Sequence, residues 1–444
     1  MENNNPTRRE FVKNTSILTG GAIALPLLSK ANFFSGADDA IKVALIGCGG
    51  RGTGAAMQAC LTKQNVKLVA MADAFRDRID QAYKTLTRDD ISDESGKKGN
   101  IKDRIDVPED RKYVGFDAYK KAMAHADVVI LTTPPGFRPI HFEEAVNQGK
   151  QIFMEKPVAT DPAGIKRVLD AAEIAKQKKL NVVVGLQRHY QNSYRELFAK
   201  KSLVGDITSA QAWWNNDGVW VRQRKYNQTE MEYQMRNWYY FVWLCGDHIV
   251  EQHIHNMDVI NWFKGGYPVK AQGMGGRQVR KGKDHGEIYD HHFVEFHYAD
   301  GSILNSQCRH IPGTMSKVDE LLTGTQGKIY CGDAVIKDHK GKVLFQFDKK
   351  TENNPYQSEH DELFAAIAKG EYKFADTENG AKSTMTAIMG RMATYSGQVM
   401  EWDKLLASGI SVMPKTFDWN AMPLSVPDED GKYPIPTPGK TKYF

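Results

Sequence analysis

Residues 41–52 read Ile41-Lys42-Val43-Ala44-Leu45-Ile46-Gly47-Cys48-Gly49-Gly50-Arg51-Gly52. A short, nearly unbroken apolar run that turns abruptly into glycine has the pattern of a parallel strand buried on both faces and ending in a tight turn. A helix-like segment opens at Arg51, so the spacing Gly-x-Gly-x-x-Gly falls between strand and helix. In that setting the glycines let the backbone close on a pyrophosphate, whose charge meets the free amides at the helix start. Gly47, Gly49, Gly50, Arg51 and Gly52 are therefore candidate cofactor-binding residues.

Working outward, a second apolar run ends at Met71-Ala72-Asp73. An acidic side chain there accepts hydrogen bonds from the adenosine ribose and repels a 2′-phosphate, so NAD is expected rather than NADP. Arg76 and Arg78 close by are the features that would suit the phosphate. Further strands are expected at 127–132, 151–154 and 181–186, with a helix over 161–178. This alternation specifies a doubly wound parallel α/β Rossmann sheet. The charged stretch 88–112 reads as a surface excursion from it.

Beyond residue 187 the pattern changes. Strands expected at 207–214, 269–274, 292–298, 302–308 and 328–330 succeed one another, giving an α+β domain with a large, mainly antiparallel open sheet. Between the first two lies a long stretch, 215–240, rich in Trp, Tyr, Arg and Gln, which is the character of a lid or binding loop. Helices are expected at 357–369 and 377–400, before a proline-rich tail. The organisation expected is a leader and linker over 1–40, the dinucleotide domain over 41–186, the catalytic and oligomerising domain over 187–375, and a helix and tail over 376–444 that pack back on the first domain.

The leader carries Arg8-Arg9-Glu10-Phe11 before a short apolar run from Ile17 to Leu28, interrupted by Gly20, Gly21 and Pro26. It is too short to span a bilayer comfortably, and it resembles a bacterial twin-arginine export signal with small residues at Ser29 and Ala31, or Ser35 and Ala37, for cleavage. A periplasmic or otherwise exported protein, with no membrane insertion after signal removal, is the expectation. The formal charge of +5 over 444 residues, with basic groups scattered among 54 acidic ones, argues against a nucleic-acid partner. Five cysteines without a Cys-x-x-Cys pair argue against a disulfide framework or a structural zinc site.

Glu155-Lys156-Pro157 ends a later strand of the first sheet, at the edge where open α/β sheets bind ligands. A lysine there can hydrogen-bond a substrate hydroxyl and stabilise alkoxide character. With the glycine turn, Thr132-Thr133-Pro134 and the segment Gly246-Asp247-His248-Ile249-Val250-Glu251-Gln252-His253-Ile254-His255-Asn256-Met257-Asp258, the chain from Ile41 to Trp402 resembles the Gfo/Idh/MocA oxidoreductases. The resemblance implies Thr132, Thr133, Pro134, Glu155 and Lys156 at the cofactor, and a helix carrying an acid, a histidine and a second acid. Here these are Glu251, His255 and Asp258, whose spacing predicts one helical face. His255 is the expected general base, Lys156 its partner at the reacting hydroxyl, and Glu251 either orients the histidine or binds a sugar hydroxyl. A zinc reading of His253, His255 and Asp258 is disfavoured because His253 and His255 would face different sides of the helix, so no metal is expected.

Arg188, Trp214, Trp220, Arg236 and Trp238 are the expected substrate-binding residues, since aromatic faces stack on sugar rings and arginines bind oxygens. His189, Tyr190, Arg309 and His310 are further pocket candidates. The expected partner is a small sugar or glycoside, and the expected assembly a homodimer or homotetramer, as the resemblance implies. The reaction expected is hydride transfer between a ring hydroxyl and tightly bound NAD. Two alternatives stand beside it. One is a redox-neutral NAD-dependent glycosidase, disfavoured because Lys156 is retained. The other is a non-catalytic sugar sensor, disfavoured because Lys156 and His255 are both present.

Overall fold

The computed structural model describes residues 40–92 and 98–444. The export signal expected over 1–40 lies outside the described residues, Ala40 apart. Strands β1 (Ile41–Ile46) and β2 (Val66–Asp73) are followed by a small antiparallel hairpin, β3 (Ile91–Ser92) and β4 (Lys98–Gly99), inside the charged excursion. Then come β5 (Lys112–Val114), β6 (Val128–Leu131), β7 (Gln151–Met154) and β8 (Val182–Val184). Six of these form one parallel sheet in the order β5-β2-β1-β6-β7-β8. The strand order reverses between β1 and β6, which opens a crevice at the carboxyl ends of those two strands. All four residues of β6 are buried, as covering on both faces requires.

The second sheet has nine strands: β9 (Ile207–Asn216), β10 (Lys270–Gly276), β11 (His291–His297), β12 (Ile303–His310), β13 (Lys317–Gly324), β14 (Gly327–Tyr330), β15 (Val335–Asp338), β16 (Val343–Gln346) and β17 (Met400–Glu401). Their order is β16-β15-β14-β13-β9-β12-β11-β10-β17, antiparallel except for β9 against β12. Burial alternates strictly along β11 and β12, so one face of this sheet meets the core and the other does not. The covered face packs on helices Ile254–Lys264 and Thr377–Ser396.

The two halves share a core. One continuous apolar cluster takes in Leu131, Met154 and Val184 of the first sheet, Ala210, Phe296 and Leu304 of the second, and Met385 and Met389 of the long helix between them. That helix also lies against helix Pro162–Gln177. The chain returns to the first sheet before residue 376: helix Pro355–Ala368 packs on helix Gly50–Cys60 and on β7, and Phe374 and Asp376 hydrogen-bond Val182 at the sheet edge.

β13 is not among the strands expected from the sequence, and it carries Asp319-Glu320 at its centre. The structure accommodates Glu320 at 0% exposure by pairing it with Arg188, so a buried charge replaces the expected apolar residue. Residues 215–240 contain a helix, Glu230–Arg236, and a turn of 3-10 helix, Trp238–Tyr240.

Candidate active site

A cavity of about 540 Å³ lies at the strand-order reversal and is walled by both halves. At its floor the glycines have different duties. Gly47 has φ +97°, and a Cβ there would sit 2.6 Å from the Thr133 nitrogen. A Cβ on Gly52 would sit 2.0 Å from the Gly47 carbonyl oxygen. A Cβ on Gly49 or Gly50 would meet nothing within 4 Å, so these two leave the helix start open to the cavity. Thr132 locks the turn by donating its hydroxyl to the Gly47 carbonyl at 2.7 Å.

Asp73 lies beside this turn, its carboxylate accepting from the backbone N–H of Cys48 at 2.7 Å and of Phe75 at 2.9 Å. Burial pushes its pKa up, opposed by those two bonds. The 3-10 turn after Pro134 introduces Arg138, which sequence reading missed. Arg138 is 1% exposed and donates to the carbonyls of Thr133 at 2.6 Å and Glu155 at 2.9 Å, joining the ends of β6 and β7.

Glu155 and Arg51 pair with each other at 2.5 Å, and Arg51 also reaches Glu359 at 3.2 Å and Gln58 at 2.8 Å. Arg51 thereby holds Glu155, though both line the cavity. The next residue, Lys156, precedes a cis proline peptide and crosses to the second half, its ammonium donating to the Glu251 carbonyl at 2.6 Å and carboxylate at 3.3 Å.

The predicted single helical face is not formed. Helix His248–Glu251 ends, Gln252 and His253 intervene, and a second helix runs Ile254–Lys264. Glu251 and His255 still meet at the cavity, with Lys156. Asp258 does not. It is 1% exposed and accepts from His189 at 2.7 Å, Asn379 at 2.9 Å and Ser383 at 2.8 Å, so it fastens the helix to the long helix instead.

His255 is 7% exposed, its ring stacked at 5.9 Å on Trp214, and its Nδ1 has no partner among the described residues. Burial drives its pKa well below the usual histidine range, and the positive charges of Lys156, Arg188 and Arg51 push in the same direction. A neutral imidazole follows, which is the form a general base needs.

Of the substrate-binding residues expected from sequence, Trp214, Trp220, Arg236 and Trp238 line the cavity and Arg188 does not. Arg188 is committed to Glu320, which also accepts from Tyr194 at 2.9 Å and Asn256 at 2.6 Å. Arg236 is committed as well, bonding both oxygens of Asp77 at 2.7 and 2.8 Å while lying 3.7 Å over the ring of Phe75. Trp220 and Trp238 meet edge to face at 5.9 Å beside it. The segment 215–240 thus reaches from the second half over the Asp73 end of the cavity.

The tail braces that end. Trp419 packs on Phe75 at 5.1 Å and Phe116 at 4.6 Å, Phe417 packs on Phe137 at 5.2 Å, and all three partners line the cavity. Tyr433 bonds Arg224 at 2.9 Å, and the Ser425 carbonyl accepts from Gln234 at 2.7 Å.

The residues weighed for zinc are dispersed, His253 being bonded to Ser306 at 2.7 Å. A different trio, Asp247, His248 and His292, brings ligand-type atoms within 4.8 Å of one another. The carboxylate of Asp247 is already occupied, accepting from the N–H and ring of His248, the Tyr289 N–H and the Tyr395 hydroxyl.

Residues 41–186 match the model of the Gfo/Idh/MocA oxidoreductase family, described as an NAD-binding Rossmann fold. Inositol 2-dehydrogenase of Gluconacetobacter diazotrophicus is 29% identical over 173 residues, covering 38% of this chain and 45% of that protein. The enzyme of the same name from Ralstonia nicotianae is 26% identical over 252 residues, covering 55% and 60%. The chain therefore aligns with under half the length of the first relative. Among solved structures, scyllo-inositol dehydrogenase from Lactobacillus casei aligns with TM-score 0.60 and 19% identity over 82% of this chain and 99% of that one. Aldose-aldose oxidoreductase from Caulobacter crescentus aligns with TM-score 0.61 and 14% identity over 82% and 100%. These likenesses extend the shared fold across both halves, and the first half is an NAD-binding Rossmann domain of an oxidoreductase family.

Proposed function

Taking that Rossmann domain as the premise, we propose that the protein is an NAD-dependent oxidoreductase that moves a hydride between a ring carbon of a sugar, glycoside or related polyol and the nicotinamide. The observation carrying this reading is the convergence, in one cavity, of the glycine turn and Asp73 with Lys156, Glu251 and His255. Named relatives that act on inositols and aldoses support the substrate class.

Gly47, Gly49, Gly50 and Gly52 with Asp73, Thr132, Thr133 and Pro134 fit the cofactor, since the open space at Gly49 and Gly50 meets a helix start and Asp73 offers a carboxylate for the ribose. NAD, when bound, supplies the hydride acceptor. The chain's own residues handle the proton. His255 accepts the hydroxyl proton, Lys156 hydrogen-bonds the oxygen as it gains negative charge, and Glu251 holds the Lys156 ammonium in place. Trp214, Trp220 and Trp238 supply the apolar faces that a sugar ring stacks on.

The same proposal includes export by the twin-arginine pathway with the cofactor already loaded, and self-association through the uncovered face of the nine-stranded sheet. Incubation with a panel of polyols, sugars and glycosides, following NADH and product identity, tests the function. A keto product with its glycosidic bond intact is expected. Free sugar released without any accumulated ketone would replace this reading with the redox-neutral glycosidase, and bound NAD without turnover would leave the sensor.

A further inference from the structure

Gln252 stands in the break between the helices of Glu251 and His255, and lines the cavity with both. Its Oε1 lies 3.0 Å from Nε2 of His310. His310 is 1% exposed, and its other nitrogen lies 2.8 Å from Nη2 of Arg280. A guanidinium has donors and no acceptor, so Nδ1 of His310 carries the lone pair and Nε2 carries the proton. That proton is donated to Gln252, which settles which end of the amide is oxygen.

The relay is rigid. Arg280 is 4% exposed, its Nη1 donates to the Tyr289 carbonyl at 2.7 Å, and its backbone N–H donates to Asp290 at 3.1 Å. The His310 ring stacks on His248 at 4.3 Å. Burial, then the neighbouring His248 and Arg280, keeps His310 from taking a second proton. Among the described residues the Gln252 NH2 has no acceptor, and Gln252 lines the same cavity as Lys156 and His255. The indole N–H of Trp214 is likewise unpartnered.

We infer that Gln252 is a substrate-binding residue: its NH2, aimed by the Arg280–His310 relay, donates to an oxygen of the polyol on a carbon next to the one that reacts. The site thereby selects substrates that carry a hydroxyl or carbonyl oxygen at that neighbouring carbon. This rests on the polyol reading above, and it adds a specificity determinant to the acid–base pair.

The test uses the NAD-loaded full chain with a polyol that it turns over and the set of that polyol's mono-deoxy analogues. Gln252→Met should lower kcat/KM for the parent roughly three- to tenfold, mainly through KM, the usual worth of one uncharged hydrogen bond. For one analogue, lacking the contacted hydroxyl, wild type and variant should coincide. Gln252→Glu keeps the acceptor for His310 and the size but puts a carboxylate where the donor stood, so it should bind the parent no better than Gln252→Met. An equal loss on every analogue, or no loss on the parent, overturns the inference. Nitrogen-15 chemical shifts of His310 read the relay without turnover: protonated Nε2 is expected, and protonated Nδ1 overturns it. A wild type that turns over no polyol defeats the dehydrogenase reading together with the ligand assigned here, an outcome distinct from variant and wild type behaving alike.

Discussion

Arg236 of the second half bonds both oxygens of Asp77, in the helix that follows Asp73, at 2.7 and 2.8 Å. Its guanidinium also lies 3.7 Å over Phe75, so one side chain latches segment 215–240 to the ribose end of the cavity. Asp77 is 62% exposed, so the ion pair alone is worth at most about 1 kcal/mol, and the ring contact adds a similar amount. Arg236→Ala should speed the release of bound NAD up to roughly thirtyfold, and Asp77→Asn should do so by less. Chasing labelled NAD from the loaded protein measures this. Identical release from wild type and both variants would remove the latch from the account.

The glycines of the turn are expected to differ in tolerance. Gly52→Ala forces a methyl to 2.0 Å from a backbone carbonyl and should cost at least the ~1–3 kcal/mol of an overpacked site, with nucleotide lost from the purified protein. Gly50→Ala meets nothing within 4 Å and should fold normally, with a weaker hold on the pyrophosphate. Thermal melting with nucleotide recovery distinguishes them, and equal behaviour of the two variants would contradict the geometry.

Lys156→Met and His255→Ala should leave NAD binding nearly unchanged and slow hydride transfer by on the order of 10²-fold or more. Burial, with the neighbouring positive charges of Lys156, Arg188 and Arg51, holds His255 well below the ordinary histidine range. The acid limb of kcat/KM for oxidation should therefore fall below pH ~6.5, the value of an ordinary histidine. A limb centred at that ordinary value would show that His255 is not the base, or is not buried during turnover.

Acid should unfold the protein early. Burial lowers the pKa of His141 and His253 to about 3 and of His248 to about 4. Each takes up its proton on unfolding, near pH ~6.5. The sign follows: their folded values are depressed, so stability is full above that pH and is lost as pH falls toward the folded values, by up to ~1.4 kcal/mol per pH unit for each histidine. Urea denaturation at pH 7, 6 and 5 measures the slope. A flat free energy over that range would mean that these side chains are not buried neutral.

Strict alternation along β11 and β12 leaves one sheet face without a covering layer among the described residues, with Phe293 and Ile303 among its half-buried residues. A second copy is the proposed cover. Light scattering across dilution should give a multiple of the chain mass, and a single chain mass at all concentrations would contradict it.

The first sheet was legible because buried parallel strands print themselves as apolar runs and the glycine turn has few other uses. The site was legible where chemistry requires a residue type: Asp73, Lys156 and His255 all meet the cavity. Legibility failed where tertiary pairing decides. Arg188 and Asp258 had the right chemistry for a pocket, but Glu320 claims the one and His189, Asn379 and Ser383 the other. The helical spacing of Glu251, His255 and Asp258 was read across a break at Gln252 and His253 that no proline or glycine marks. Arg138 and Gln252 were missed because their role depends on a carbonyl and a histidine distant in sequence.

The bracing of the cavity by Phe417 and Trp419 also orders events on the ribosome. The Rossmann half emerges first, yet the rings that close over its groove, Trp419 on Phe75 and Phe116 and Phe417 on Phe137, exist only when residues near 420 are made. A nascent chain therefore presents a sticky, unfinished groove throughout synthesis of the nine-stranded half. Secure loading of the cofactor becomes a late, post-synthetic step, and a chain cut short before residue 417 would fold its first sheet while keeping its nucleotide poorly.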